Sequence, residues 1–321
     1  MLIRHRKTVC EAERGRGMLE DIAKAKKPEK EELRQYLKAE KEKLAASQMK
    51  IKEAKLPVMV IFEGWGSAGK GSVMGEIIKN IDPRFFQVAT MDKPRTEEES
   101  RKPFLYRYFI EIPEKGKFKF FDTCWMREVT DGVLEGKLSE KEYESRIHSI
   151  NMTERQLTDN GYLVVKFSFH ISEKEQKRRL QELLADKNTA WRVGKEDLWE
   201  NKHYKKCLKI YDRYLRDTDR GASPWYIINA NEKKWAQLQV MQFLNQNIET
   251  ALCNSAISAP IRQNIFRLEH IPKLKDIPLD KTLSEEEYKE KLKELQSELR
   301  SLHYALYRKK IPLIIAYEGY L

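Results

Sequence analysis

The stretch LPVMVIFEGWGSAGKGS at residues 56–72 constrains the fold of this chain more than any other segment. Its continuous apolar run over 56–62 predicts a strand that is buried on both faces of a sheet. The following residues, Gly64 to Lys70, match G-x-x-x-x-G-K, and SVMGEIIKNI after them predicts an amphipathic helix. A strand, a glycine loop and a helix in this order are typical of a phosphate-binding loop in an α/β protein.

Further strand-like and helical segments alternate along the chain. This alternation predicts an α/β fold with a P-loop kinase-like parallel sheet of about five strands, helices on both faces and right-handed crossovers. Long polar helices are predicted on either side, an exposed one over 31–55 and another over 283–310. The other strands are expected at 85–91, 117–122, 162–169 and 224–230, and the other helices at 71–80, 98–110, 139–159, 173–186, 196–217 and 231–251.

The end of the chain repeats the segment that leads into the glycine loop. Pro57, Glu63 and Gly64 recur 255 positions later as Pro312, Glu318 and Gly319. The apolar residues of the two polar helices fall in the same register, which favours true repetition over chance. We therefore predict a polar helical extension over 1–55, a P-loop module over 56–252, a loop and connector helix over 253–310, and the first strand of a truncated second module over 311–321. The helix pairs in register are Leu37 with Leu292, Leu44 with Leu299, and Ile51 with Leu306.

Composition narrows the class of partner. The net charge is +11 with a sequence pI of about 9.2, which favours a polyanionic partner or, equally, a lysine-rich solvated surface. Four widely spaced cysteines form no Cys-x-x-Cys pair and indicate reduced thiols in a cytoplasmic protein. No apolar run has the length of a signal peptide core or a membrane span, so we expect no membrane partner. The cysteines are Cys10, Cys124, Cys207 and Cys253.

The glycine loop has the residue types that bind phosphate. Gly64, Gly69 and Gly71 let the backbone turn tightly and direct N–H groups at an anion, and the helix that contains Ser72 adds its positive end. Lys70 supplies a mobile ammonium to the transferred phosphate. The alternative is a glycine-rich turn that binds nothing.

Asp122 is the second candidate catalytic residue. It ends the apolar run FKFF, at the carboxyl edge of a strand that we expect beside the loop. A carboxylate at this edge is where P-loop enzymes hold Mg²⁺, so Asp122 is the candidate metal ligand. The alternative is an aspartate that caps the next helix.

Together these motifs resemble the second family of polyphosphate kinases, over about residues 31–252. The family loop G-x-D-x-x-G-K-G corresponds to GWGSAGKG, and the family's D-R-S-W-Y to DTCWM. The segments FHISEKEQKRRLQELLAD, AWRV and SPWYIINANEKKW also look like family segments. The resemblance implies Mg²⁺-dependent phosphoryl transfer between polyphosphate and AMP or ADP. The chain resembles in particular the N-terminal half of the tandem polyphosphate:AMP phosphotransferases, which carry two such modules.

Several positions depart from the family pattern. Gly66 replaces the loop aspartate, Thr123 an arginine, Met126 a tyrosine and Glu128 a further arginine. A reversed charge beside phosphate opposes anion binding, and each lost charge-stabilising donor can cost ~10²–10³ in rate. Arg127, one position away, is a candidate replacement for a lost arginine.

Basic residues in two segments are candidates for a lid that covers polyphosphate. Arginine suits a phosphate chain because its guanidinium binds phosphate oxygens in bidentate fashion. The alternative is that these residues form a solvated helix face. The candidates are Lys93, Arg101, Arg107, Arg178 and Arg192.

Four functional hypotheses follow. The favoured one is a polyphosphate–nucleotide phosphotransferase, and the second is a catalytically degenerate binding or scaffold module that needs a second module. The third, an ATP-dependent nucleoside monophosphate kinase, is weakened because Gly71 stands where Ser or Thr usually follows the lysine. The fourth, a nucleic-acid binder, has no recognisable motif. The long amphipathic helices and terminal strand also favour self-association into a homo-oligomer.

Overall fold

The core of the protein is a parallel sheet of five strands. The computed structural model describes residues 28–91, 93–254 and 282–317. All five predicted strands form, in the order β2-β3-β1-β4-β5, and β1 is buried at the centre. The α/β prediction is therefore confirmed. The strands are β1 (Val58–Gly64), β2 (Phe86–Thr90), β3 (Phe118–Asp122), β4 (Leu163–His170) and β5 (Trp225–Asn229).

Helices connect the strands and cover both faces of the sheet. One group of helices is α1, α2 and α10, of which α2 and α10 contact the sheet. A second group is α5, α6 and α9, of which α5 contacts β1 and α6 contacts β4. The helices are α1 (Lys30–Glu53), α2 (Lys70–Ile78), α3 (Glu97–Ser100), α4 (Tyr106–Phe109), α5 (Trp125–Leu134), α6 (Glu140–Asp159), α7 (Glu173–Ala185), α8 (Lys195–Lys202), α9 (Tyr204–Thr218), α10 (Lys233–Asn254) and α11 (Glu285–Lys309). Within the described ranges, no helix has the length and apolar character that a membrane crossing requires.

Helix α1 is part of the core, so the prediction that it would be exposed is wrong. Its heptad residues Leu37, Leu44 and Ile51 are buried, and the helix packs along α10. The side-chain amide of Asn245 on α10 donates to the carbonyl oxygen of Glu40 at 2.9 Å and to its carboxylate at 2.7 Å. A stripe of leucines at seven-residue spacing needs an apolar partner, and α10 provides it.

Three helix predictions need correction. In place of the helix expected over 98–110 there are two short helices, α3 and α4, with Pro103 between them. A proline disfavours the helical conformation of the residue that precedes it. The helix expected over 196–217 is divided into α8 and α9 at His203. Helix α5 was not predicted at all.

The C-terminal part of the described chain forms a second compact unit. Its helix α11 confirms the predicted polar helix and begins with a capping box between Ser284 and Glu287. Residues 311–317 form neither helix nor sheet, so the strand predicted there is not formed in this part of the chain. Glu318 and Gly319, on which the repeat depends, lie outside the described residues.

A buried carboxylate holds the start of α5. Glu63, next to the loop, accepts backbone N–H groups of Cys124 at 2.7 Å and Met126 at 3.1 Å, both through Oε1. Burial raises the pKa of Glu63 to about 7, although these two bonds and the charges of Lys70 and Arg127 work in the opposite direction. The helix begins where it does because a carboxylate from another strand accepts its first N–H groups.

Replacing Glu63 with glutamine should remove a pH dependence of stability. The unfolded state releases the Glu63 proton near its ordinary pKa of 4.5, whereas the folded state keeps it until about 7. The wild-type free energy of unfolding should therefore fall between these pH values by roughly 3 kcal/mol relative to Glu63→Gln. Glutamine retains Oε1, so both bonds to α5 can persist. Urea unfolding from pH 4.5 to 7.5 measures the difference, and parallel curves for the two proteins would contradict the assignment.

Candidate active site

The loop after β1 begins with a backbone contact that only glycine allows. Gly64 has a φ of 112°, and a Cβ there would lie 2.6 Å from the backbone nitrogen of Phe169 on β4. The N–H of Trp65 then donates to the carbonyl oxygen of Phe169 at 3.1 Å. Gly69, with a φ of 90°, turns the chain into α2. The predicted glycines thus shape a strand–loop–helix turn.

Lys70 begins α2 and bends back over the loop. Its Nζ donates to the carbonyl oxygens of Gly64 at 2.9 Å and Trp65 at 3.0 Å. The N–H groups of Lys70, Gly71 and Ser72 belong to the first turn of α2, where no intrahelical acceptor exists. The ammonium and these donors lie at the same end of the helix, which is the arrangement that binds an anion.

Asp122 lies beside this helix end. It pairs in register with Phe62 at the carboxyl end of β1, and its Oδ2 would be 3.4 Å from a Cβ on Gly71. The next residue, Thr123, has a φ of 70°, a strained value for a β-branched side chain that marks a sharp exit from β3. The structure therefore brings Lys70 and Asp122 to one edge of the sheet.

The donor set around Asp122 suits Mg²⁺ shared with a substrate. Among the described residues, no group of three or more His, Cys, Asp and Glu side chains could hold a metal by itself. Mg²⁺ does not require such a group, because it is commonly bound by one or two carboxylates together with phosphate oxygens and water. A single aspartate next to the start of a phosphate loop fits that mode.

An aromatic cluster fixes the loop from one side. Trp65 stacks on Tyr204 with ring centroids 4.1 Å apart and meets the edge of Tyr211 at 5.0 Å. Its indole N–H donates to Nδ1 of His170 at 3.0 Å. Burial lowers the pKa of His170 to about 4, so its imidazole is neutral at pH 7 and can accept this bond. The cluster anchors the loop to α9, and His170 packs within it.

An arginine on α7 fixes the loop from the other side. The guanidinium of Arg179 donates to the carbonyl oxygens of Ser67 at 3.2 Å and Ala68 at 3.1 Å. It also donates to Ala230 and Asn231, which follow β5. The predicted lid residue Arg178, one position earlier, is instead exposed and pairs with Glu175 and Glu182 on its own helix.

Glu128 does not present an isolated negative charge. Its carboxylate accepts two bonds from Arg95, at 3.0 and 2.9 Å, and a bond from the hydroxyl of Tyr108 at 3.1 Å. Arg146 lies 3.5 Å from the same group. Two arginines therefore neutralise the residue that stands where the family pattern has an arginine.

Arg127 lies among several acidic side chains. Burial works to lower its pKa, but Asp131, Glu200 and Asp197 more than offset this, and the net pKa is raised. Its Nε donates to Asp131 at 3.2 Å. The guanidinium is therefore charged and held close to carboxylates.

The other lid candidates make contacts within their own segments. Arg107 is buried and donates to the carbonyl oxygen of Lys93 at 3.0 Å. Arg101 is exposed and pairs with Glu97, and Arg192 lies over the Trp191 ring at 5.4 Å. Their role towards phosphate stays a prediction.

Three residues of the site were not predicted: Glu63, Gln176 and Glu200. The N–H of Gly66 donates to Glu200 at 2.9 Å, and the carbonyl oxygen of Gly66 accepts from Gln176 at 3.3 Å. These residues lie more than a hundred positions from the loop, so motif spacing carries no signal for them. Glu63 is the exception, because a carboxylate at the end of a buried strand is itself unusual.

Known proteins match this chain along most of its length. Residues 27–256 match the family described as Polyphosphate kinase 2. A polyphosphate:AMP phosphotransferase from Pseudomonas aeruginosa is 28% identical over 286 residues, which are 87% of this chain and 57% of that protein. Another from Pseudomonas syringae is 32% identical over 66% of this chain and 43% of that protein. The chain thus spans about half the length of these two relatives.

A solved structure supports the same relationship. The polyphosphate kinase 2 of Arthrobacter aurescens superposes with a TM-score of 0.70 at 25% identity, covering 81% of this chain and 93% of that one. The family match includes the loop, Asp122 and helices α7 to α9. The chain therefore belongs to the polyphosphate kinase 2 family.

Proposed function

We propose that this protein transfers phosphoryl groups between inorganic polyphosphate and AMP or ADP, with Mg²⁺ as cofactor. The observation that carries the proposal is the convergence of Lys70, the first turn of α2 and Asp122 at one edge of the sheet. Phosphoryl transfer needs positioning and charge neutralisation more than covalent chemistry, and this edge offers both. The names of the relatives specify polyphosphate with AMP, ADP or GDP, which agrees with the substrate class.

In this proposal each part of the site has one task. The loop amides and the start of α2 bind a phosphate group, and Lys70 turns from its backbone acceptors to the transferred phosphate. Asp122 holds Mg²⁺, which neutralises charge that develops on the phosphoryl group. The lid candidates Lys93, Arg101, Arg107, Arg178 and Arg192 would line the path of the polyphosphate chain.

The alternative of a degenerate binding module is less favoured. Its support in the sequence is Gly66, Thr123 and Glu128, but Arg95 and Arg146 neutralise the carboxylate of Glu128. The loop also retains the backbone shape that phosphate binding needs, including Gly64 and Gly69 at positive φ. The departures at Gly66 and Thr123 leave this framework in place.

We further propose a cytoplasmic location, since polyphosphate–nucleotide exchange needs the nucleotide pool and the cysteine pattern favours a reducing compartment. A second module after α11 and self-association of the chain remain our predictions from the sequence repeat and the amphipathic helices.

Replacing Lys70 with alanine should lower the rate of nucleotide formation by roughly 10²–10³-fold, because a charge that stabilises the transferred phosphate is removed. The measurement is ADP or ATP formed from long-chain polyphosphate, Mg²⁺ and AMP or ADP. Lys79→Ala is the matched control, since Lys79 follows the same helix at its other end and pairs with Glu76. Equal rates in wild type and Lys70→Ala would contradict the role of Lys70.

Replacing Asp122 with asparagine should raise the Mg²⁺ concentration needed for half-maximal rate by about 10-fold or more, because a neutral amide binds this hard cation weakly. A Mg²⁺ titration of the initial rate measures this shift. Asp159→Asn, at the end of α6, is a control for the loss of one negative charge. An unchanged Mg²⁺ requirement in Asp122→Asn would exclude Asp122 as the ligand.

A further inference from the structure

A carboxylate from α8 occupies a hydrogen-bond donor of the phosphate loop. Gly66 is the third residue of G-x-x-x-x-G-K, and its N–H donates to Oε2 of Glu200 at 2.9 Å. Loop N–H groups are the donors that bind phosphate oxygens in such motifs. In this structure one of them already binds an anion that belongs to the protein.

Glu200 is held in this place by two further donors. The side-chain amide of Gln176 donates to Oε2 at 2.8 Å, and the hydroxyl of Tyr211 donates to Oε1 at 2.6 Å. Gln176 is fully buried and receives a bond from Asn201 at 3.0 Å. The carboxylate accepts hydrogen bonds from the loop, from α7 and from α9, and therefore connects these three parts of the protein.

The absence of a side chain at position 66 makes this contact possible. A Cβ on Gly66 would lie 2.8 Å from Oε2 of Glu200 and under 3.0 Å from Oδ1 of Asp197, closer than real Cβ atoms approach. Asp197 is itself oriented by the N–H of Gly194, which donates to its other oxygen at 2.9 Å. A larger residue at position 66 would therefore displace the side chains of Glu200 and Asp197 from the loop.

The contact opposes the binding of a second anion. The Gly66 N–H cannot donate at full strength to both Glu200 and a phosphate oxygen, and the negative charge of the carboxylate repels phosphate at short range. The negative charge of Glu200 also acts on the guanidinium of Arg127, whose pKa it helps to raise. A polyphosphate chain that enters the loop must therefore displace Glu200.

We propose that Glu200 is an internal latch, which holds α8 on the phosphate loop and is displaced when polyphosphate binds; this inference rests on the proposed function. The displacement moves α8, frees the Gly66 N–H for the phosphate chain and removes the negative charge of Glu200 from the surroundings of Arg127. Apparent affinity is reduced by the fraction of molecules in the latched state, so the latch sets the threshold polyphosphate concentration.

Three variants test the latch. Glu200→Gln removes the charge, Glu200→Ala also removes the acceptor, and Gly66→Ala displaces the Glu200 carboxylate from the Gly66 N–H without changing any charge. Each should bind tripolyphosphate about 10-fold more tightly than wild type, as expected for release of an autoinhibitory contact. Glu196→Gln is the matched control, because it removes the same charge from an exposed position on the same helix. Calorimetric titration of the full chain in Mg²⁺ buffer gives the dissociation constants.

Amide hydrogen exchange provides a second readout. Exchange over residues 195–202 should rise when tripolyphosphate is added to wild type, and it should already be high in ligand-free Glu200→Ala. Unchanged or weaker binding in the Glu200 variants would overturn the latch, and so would equal tightening in Glu196→Gln. Binding by none of the proteins would overturn it as well. Failure of the proposed function has a different signature: tripolyphosphate binds and the variants tighten it, but no nucleotide product forms.

Discussion

The close approach of Gly64 to the backbone of Phe169 determines where the other parts of the site can lie. Because this residue has no Cβ and adopts a positive φ, β1 can end directly against β4. The Trp65 N–H then bonds to Phe169, and the loop turns into α2 with Lys70 at its first position. Any side chain at Gly64 would collide with backbone atoms, which cannot rotate away. The phosphate loop therefore depends on one contact between the ends of two adjacent strands.

Those parts of the fold that depend on local sequence could be predicted. The five strands were recognised because each is a short apolar run, and Lys70 and Asp122 because parallel strands place their carboxyl ends on one edge. Helix α5 could not be recognised in the same way, because its first N–H groups bond to Glu63 on another strand. The burial of α1 similarly depends on α10, about two hundred residues further along the chain. Such contacts follow from the complete fold, and a local pattern contains no information about them.

The roles of neighbouring charged residues also could not be predicted from the sequence. In the run Lys177-Arg178-Arg179, each residue is rotated by about 100° from the one before it on a helix. The helix buries Gln176 and Leu180, and this orientation directs Arg179 to the loop while Arg178 remains in solvent. The sequence reveals a basic stretch, but only the packing of α7 determines which arginine supports the loop and which can reach a ligand from outside.

The departures from the family pattern are linked to residues far from them in sequence. Glu128 looks like a damaging charge reversal until Arg95 and Arg146 are seen beside it. Gly66 looks like the simple loss of an aspartate, yet the absence of a side chain there leaves the space in which Glu200 contacts the loop. The losses of rate estimated for each position alone therefore cannot be multiplied, because substitutions that share partners are not independent. The same reasoning applies to any repair by mutation. An aspartate restored at position 66 would meet Asp197 and Glu200 at very short distance, so it could act only if these two side chains had first moved away.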